Sequence, residues 1–344
     1  MAYLDYETCT VDHTQCGSSD STAFPVLVSI TATLLKTVAY GGAISNTVTQ
    51  SGGNAVTMPA DLVFSADALG VTLYPWEIEF YDGTNGILVA WVQVPTLSHT
   101  ANTVFYMPYG NALITTQQNT GSYAPSAVWD SSFLAVVHLG NGTTLSGVDS
   151  TGANSFTNNG ASAGSGRIDG AAVLASGNDL HVTSPNSALQ TTSDITLSAW
   201  IYPTTLAAER GIVVDWDGSA RKFLFELNGS DIRFAAQGAG IGVLDTATSV
   251  YVNNWYYVVA VCHSGAMTVL INSILDINTA NASSGIVSST DPVYIGNSTS
   301  NSRPFIGTID ESRISNTARS ADWITAEYNN QKASSTFLTV GTLH

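Results

Sequence analysis

Residues 194–202 read Asp194-Ile195-Thr196-Leu197-Ser198-Ala199-Trp200-Ile201-Tyr202, which puts Ile195, Leu197, Ala199 and Ile201 on one face of an extended chain. Successive side chains of a β-strand leave opposite faces, so a period of two marks a strand packed on one side. Phe223, Phe225 and Leu227 repeat the pattern, as do Met267, Val269 and Ile271. Trp255, Tyr257, Val259 and Val261 line one side of their run, and its other side is apolar as well, which predicts a central strand. Between such runs fall Gly, Asn, Ser and Asp turns at intervals of about 8 to 12 residues, the spacing of β-sandwiches. Ser320-Ala321-Asp322-Trp323-Ile324-Thr325-Ala326-Glu327-Tyr328 alone predicts a helix. Ser320 can cap it, Asp322 suits the positive end of its dipole, and Trp323, Ala326 and Glu327 recur at helical spacing.

The same reading extends toward the N-terminus. Phe24-Pro25-Val26-Leu27-Val28-Ser29-Ile30 is a strand, and Pro25, lacking an N–H, places its start at a sheet edge. Asp61-Leu62-Val63-Phe64 leads through a turn to Tyr74–Tyr81, and the turn Asp82-Gly83-Thr84-Asn85-Gly86 precedes a return strand, Ile87–Val94. Thr103-Val104-Phe105-Tyr106-Met107 closes this set, and Gln117–Ser122 with Tyr123-Ala124-Pro125 reads as a linker. The expectation is an all-β chain of two β-sandwich domains, residues 1–125 and 126–344, with one short helix near the end of the second.

The 344 residues are 44% apolar and only 10% charged, where ordinary soluble domains carry roughly 25% charged residues. The polar surface must then come from Ser, Thr, Asn and Gly, which suit strands and turns better than exposed helices. Ten Lys and Arg against 26 Asp and Glu give a net charge of −16. That excludes the basic footprint nucleic acid requires and opposes docking on anionic membranes. Few Lys and Arg also mean few trypsin sites, which suits work outside cells. No apolar run approaches the ~18 residues of a membrane span. Met1–Glu7 has neither a basic start nor an apolar stretch, so it is not read as a signal peptide. Cys262 lies in an apolar strand and reads as a core residue, whereas Cys9 and Cys16 flank His13. Two free thiols are the default for that pair, against a disulfide closing a small loop or a zinc site lacking its fourth ligand.

Several strings together resemble the laminin G-like and pentraxin-like jelly rolls of the concanavalin A-like group, found in bacterial and phage surface proteins. They are Asp149-Ser150-Thr151-Gly152, Ile168-Asp169-Gly170-Ala171-Ala172-Val173, the Ile195–Pro203 strand, Trp255–Val261, Tyr294-Ile295-Gly296-Asn297 and Gly307–Ser315. The first half, through Leu73–Glu79, Trp91–Leu97 and Tyr106–Asn111, is similar to a β-rich domain of unknown function that precedes such modules. Cys9 and Cys16 depart from that pattern. The resemblance implies a jelly roll for the second domain and one structural calcium, with Asp149 and Asp310 as the candidate metal ligands. With the charge-poor surface and the Met1 start, it implies a non-enzymatic structural protein on the surface of a phage virion, as a head decoration, fibre or tail component. Its expected partners are other virion proteins and host or environmental glycans, with the first domain as the anchor and its N-terminal segment lying along neighbouring subunits. The alternative is a secreted or cell-surface bacterial carbohydrate-binding protein.

Candidate chemistry is sparse. Glu77 and Glu79, two apart on a strand, sit about 6–7 Å apart on one face, near the separation of glycosidase carboxylates. A solvated or hydrogen-bonded face is the preferred account of them, and no catalytic residue is assigned. Nucleophile elbows, zinc-protease helices and phosphate-cradling glycine loops are absent. For a sugar, which presents an apolar face and a rim of hydroxyls, the turn Asp215-Trp216-Asp217-Gly218 offers Trp216 with flanking carboxylates and Arg221 nearby. Trp216, Asp215, Asp217 and Arg221 are therefore the candidate carbohydrate-binding residues, against a plain hairpin turn whose Trp folds back on the sheet. No heptad or fibre repeat specifies an oligomer.

Overall fold

Ile87–Leu97 is apolar on both faces, and in the computed structural model it occupies the middle of a three-stranded antiparallel sheet between Ser21–Thr31 and Trp76–Asp82. The structure describes residues 3, 5–53, 55–140, 143–182, 189–191, 193–216, 221–283, 285–289 and 291–341. As its Pro25 requires, Ser21–Thr31 is an edge strand, and Pro25 pairs with Gln93. In the turn that joins Trp76–Asp82 to Ile87–Leu97, the Asp82 carboxylate accepts the Thr84 and Asn85 amides at 2.8 and 3.2 Å.

Both open edges of this sheet are closed by side-chain amides rather than by further strands. On Ser21–Thr31 the buried Asn330 takes the Leu27 N–H on its Oδ1 at 2.6 Å and donates Nδ2 to the Leu27 carbonyl at 3.1 Å. On Trp76–Asp82, Gln50 does the same for Ile78, at 2.9 and 3.0 Å. Asn119 adds a bond to the Trp76 carbonyl at 2.9 Å. A primary amide offers the same donor and acceptor as a peptide group, so each can stand in for one residue of a missing strand.

Asn330 belongs to the helix Ala321–Lys332, which the sequence places at the end of the second domain. The structure corrects that boundary. Residues 1–130 and 322–344 form one unit and residues 131–321 another. Three interactions return the C-terminal segment to the first unit: Asn330 on Leu27, Trp323 against Phe24 with ring centroids 4.8 Å apart, and Leu338–Val340 paired with Asp5–Val11. A second short helix, Ser334–Phe337, connects the first helix to that strand. Asp5–Val11 lies between Leu338–Val340 and Thr103–Tyr109. The N-terminal segment is thus a central strand, not an arm running along neighbouring subunits. Thr103–Tyr109 accordingly joins a different sheet from Ile87–Leu97, and Asp61–Phe64 forms only a single bridge, Leu62 to Tyr109, in place of a strand. Asp61 turns its buried carboxylate to the Ser45 and Asn46 amides instead. Cys9, Cys16 and Cys262 are buried free thiols.

The second unit stacks two antiparallel sheets. One runs Ile241–Asp245, Asp231–Gln237, Phe223–Asn228, Arg210–Asp215, Val293–Ile295, Asp179–Val182, Thr157–Asn159. The other is nine-stranded, with Gly307–Ser315, Ile195–Pro203 and Tyr256–His263 adjacent in its middle, so the strand apolar on both faces is interior as its sequence requires. Ile195, Leu197, Ala199 and Ile201 meet Phe223, Phe225, Phe234 and Ile295 in one continuous core.

Asn330→Ala should orphan two buried backbone groups at Leu27, each worth about 1–3 kcal/mol. The expected result is a fall of about 2–4 kcal/mol in the unfolding free energy read from urea titration.

Candidate functional site

The paired carboxylates of the first unit are anchors. Glu77 and Glu79 are both buried. Glu77 accepts the Trp129 indole N–H at 3.0 Å, Glu79 accepts that of Trp91 at 2.7 Å, and the two indoles pack at 5.6 Å. Glu79 is also the extra residue of a β-bulge, since pairing jumps from Ile78–Ala90 to Phe80–Val89. Of the two descriptions available from sequence, the hydrogen-bonded one holds and the solvated one does not. Gly53, at φ +60°, lies where a Cβ would meet the Glu77 carboxylate, in a backbone conformation that favours glycine.

Asp149 and Asp310 are placed apart in role. Asp149 receives the Val136, Thr151 and Asn154 amides, the Thr151 hydroxyl and the Asn154 side-chain amide, at 2.7–3.1 Å. A carboxylate has about four lone-pair sites, and five donors fill them, so Asp149 does not fit as a calcium ligand. Asp310 accepts the Arg167 and Ile168 amides on one oxygen, at 2.6 and 3.1 Å, and its other oxygen is buried without a hydrogen-bond partner. Burial first, and then the charge of Glu311, push its carboxyl well above the usual carboxylate range. Among the described residues the two do not share a cluster of three metal-ligating side chains.

Trp216 leads to a surface. On the seven-stranded sheet, Val213, Phe225, Phe234, Ile295 and Leu180 face the core, so their neighbours in sequence face outward. Strand registers set these neighbours in one row across the sheet: His181, Tyr294, Val214, Leu224, Ala235, Val243. Trp216 and Tyr294, both half-buried, pack onto Val214, Leu224 and Ala235. His181 stacks on Tyr294 at 5.2 Å with 29° between the rings, and Arg221 lies over the Trp216 ring at 5.7 Å. Polar groups border this aromatic ledge. His181 Nδ1 pairs with Asp179 at 2.7 Å, and Asn159 donates to the other Asp179 oxygen at 2.9 Å. The row ends at Val243, 51% exposed, with Ile241 on the same strand 50% exposed.

A second, charged row crosses the same sheet. Arg233 grips Asp245 with two bonds of 2.8 and 2.9 Å and faces Glu226, which Arg303 also contacts. The hydrogen bond from Arg233 holds Asp245 below the usual carboxylate range.

The four sequence candidates are therefore divided. Trp216 and Arg221 are on the ledge, and the Trp does fold back on the sheet while keeping part of its ring in solvent. Asp217 lies outside the described residues. Asp215 is buried, so it cannot meet a ligand on this face. Its charge instead supports Lys222, whose buried ammonium donates to the Leu189 carbonyl at 2.6 Å. Tyr294 and His181 escaped sequence reading because they come from strands far from Trp216 in the chain. The local signal was present, as each sits between two aliphatic residues that face the core: Val293-Tyr294-Ile295 and Leu180-His181-Val182.

Burial brings the Lys222 ammonium down to about 8 from the ordinary 10.5, with Asp215 opposing. The native state thus sheds this proton before the unfolded chain does, and this group's contribution to stability rises with pH between those two values. Lys222→Met should abolish that rise. It should also lower the unfolding free energy at neutral pH by about 1–3 kcal/mol in chemical denaturation, because the Leu189 carbonyl loses its buried donor.

Residues 176–325 match the family model described as the concanavalin A-like lectin/glucanases superfamily. No curated protein matches the chain. Among solved structures, domain 4 of AbnA, an extracellular arabinanase from Geobacillus stearothermophilus solved with arabinotriose, is 19% identical, with a TM-score of 0.46 over 57% of this chain and 98% of that one. The binding domain of Paraclostridial Mosquitocidal Protein 1 is 16% identical, with a TM-score of 0.47 over 57% of this chain and 52% of that one. The botulinum neurotoxin serotype C1 binding domain is 15% identical, with a TM-score of 0.45 over 58% of this chain and 52% of that one. This chain spans about half the length of the two toxin domains. The second unit, residues 131–321, therefore has a concanavalin A-like jelly-roll fold, and the family match runs over residues 176–325.

Proposed function

We propose that this protein is a non-enzymatic adhesion protein whose second unit binds glycans on the outer face of the seven-stranded sheet. The observation that carries this reading is the aromatic ledge of Trp216, Tyr294 and His181 in contact with solvent beside Arg221 and Asn159. A sugar ring lays its C–H face on such rings while its hydroxyls meet the charged and amide groups at the border. The lectin-type family match of residues 176–325 supports the same ligand class. The carboxylate pair that would be needed for glycosidase chemistry is engaged with two indoles, which supports a binding role over a hydrolytic one.

The setting we favour is the virion surface of a phage, as a head decoration, fibre or tail component in contact with other virion proteins. The charge-poor Ser, Thr, Asn and Gly surface and the pairing of these two domain types support it. A secreted or cell-surface bacterial carbohydrate-binding protein is the second reading, favoured by the family match alone. Mass spectrometry of the protein from its native source separates them. Co-purification with capsid or tail proteins supports the first, and recovery from a cell envelope overturns it.

Two further outcomes are expected. Trp216→Ala with Tyr294→Ala should weaken glycan binding, measured by calorimetry, by about tenfold or more, the equivalent of roughly 1.4 kcal/mol, with the melting temperature little changed. Retained affinity with undiminished stoichiometry would remove the ledge as the site. Because Asp149 is saturated by donors, EDTA should leave the melting temperature unmoved, and a clear drop would restore calcium to the structure.

A further inference from the structure

At one end of the other sheet in the same unit, beyond the buried Trp200 and Tyr257, lies a second set of rings in contact with solvent. Ile201 pairs with Tyr256 across adjacent strands, so the outward Tyr202 stands opposite Trp255, and their ring centroids are 5.5 Å apart. Both rings are half-buried, and Tyr251, at the start of the preceding loop, is 64% exposed. Asn253 and Asn254, on the same loop, are exposed.

This loop is held firmly beneath its exposed side chains. Val250 is buried and donates its N–H to the Ser230 carbonyl at 2.7 Å. The Tyr251 N–H reaches the Tyr256 hydroxyl at 3.1 Å, and the Asn253 N–H reaches the Pro203 carbonyl at 2.8 Å. Asn254 Nδ2 closes the loop on the Val252 carbonyl at 2.9 Å. Asn253 takes φ +59°, a left-handed conformation that Asn tolerates better than most residues. A loop fixed at these points presents its rings and amides in one arrangement, so binding loses little conformational entropy.

The two segments that carry these rings are also uncharged. Residues 195–208 and 246–262 contain no Asp, Glu, Lys or Arg, in a chain whose net charge is −16. Ligands recognised through charge, such as phosphates, acidic sugars or basic peptides, find no partner on these two segments. Ring faces bordered by amides and a phenol, without charge, match an uncharged sugar.

We propose that Tyr202, Tyr251 and Trp255, with the amides of Asn253 and Asn254, form a second binding site for neutral oligosaccharides, on the opposite sheet from the Trp216 ledge. The inference rests on the reading of the unit as a glycan binder and extends it. One sandwich with a site on each sheet bridges two glycan chains, and a single copy then gains avidity on a polysaccharide surface.

The test uses the full chain and a panel of short uncharged pentose and hexose oligosaccharides, with residue-resolved amide NMR shifts and calorimetric stoichiometry as readouts. Tyr251→Ser with Trp255→Ala is compared with Trp216→Ala and Tyr294→Ala. Thermal melting confirms that each variant is folded, and Tyr251→Ser alone, at an exposed position, serves if Trp255→Ala destabilises the chain. The expected result is two sets of shifted amides in the wild type. Each variant should lose one set, weaken that site by about tenfold, and keep the other. Loss of all binding on changing Trp216 and Tyr294 alone would overturn the second site and leave the first reading intact. Binding that survives those changes but disappears with Tyr251 and Trp255 would support the second site and remove the ledge. Absence of binding by every sugar in the wild type would overturn both.

Discussion

Backbone N–H and C=O groups that are buried must find partners, and the hydrogen bonds from Asn330 to Leu27 show how this chain meets that demand. A three-stranded sheet has two edges, and each edge presents a row of unpaired peptide groups. Here one edge is matched by Asn330 and the other by Gln50 and Asn119. Because Asn330 lies on a helix some 300 positions later in the chain, this contact, with Trp323 on Phe24 and the pairing of Leu338–Val340, draws the C-terminus back to the first unit. Residues 131–321 are thereby an insertion with both ends in the same unit. Asp322 reinforces that return by accepting the Ser18 amide at 2.9 Å and the Ser19 hydroxyl at 2.6 Å.

A second constraint follows from the scarcity of charge. With so few basic residues, most carboxylates that leave water must be held by neutral donors. Asp149 takes five N–H and O–H groups, Glu77 and Glu79 take indoles, and Asp310 takes two backbone amides. Where cations are present they are used in direct pairs: Arg233 with Asp245, Arg303 with Glu226, and Arg313 with Glu311 at 2.6 Å. The acidic residues that looked like candidate chemistry are therefore mostly structural. The outer faces of the two sheets carry aromatic rings instead.

Those surfaces depend on sheet geometry. Tyr294, His181 and Val214 are separated by long stretches of chain, yet antiparallel pairing sets them side by side. Trp216 joins them because it closes the strand that contributes Val214. The same rule aligns Tyr202 with Trp255 on the other sheet. Their neighbours Val293, Ile295, Leu180, Val182 and Ile201 face the core and bind the two sheets together.

Alternation along single strands was enough to assign the class. The faces of Ile195–Pro203, the interior position of Tyr256–His263 and the edge position of Ser21–Thr31 were all legible, because side-chain direction in a strand is a local property with a period of two. Trp216 and Arg221 are near neighbours in sequence, and the folded chain sets Arg221 over the Trp216 ring. Pairing between distant segments is not local. Nothing near Asp5–Val11 indicates that Leu338–Val340 will pair with it, and nothing near Asn330 indicates Leu27. The inward turn of Asp215, the donors that saturate Asp149, and the row joining His181 to Tyr294 and Trp216 were likewise decided only in the folded chain. They depend on which strands become neighbours, and that is settled by burying the core and closing the sheet edges together.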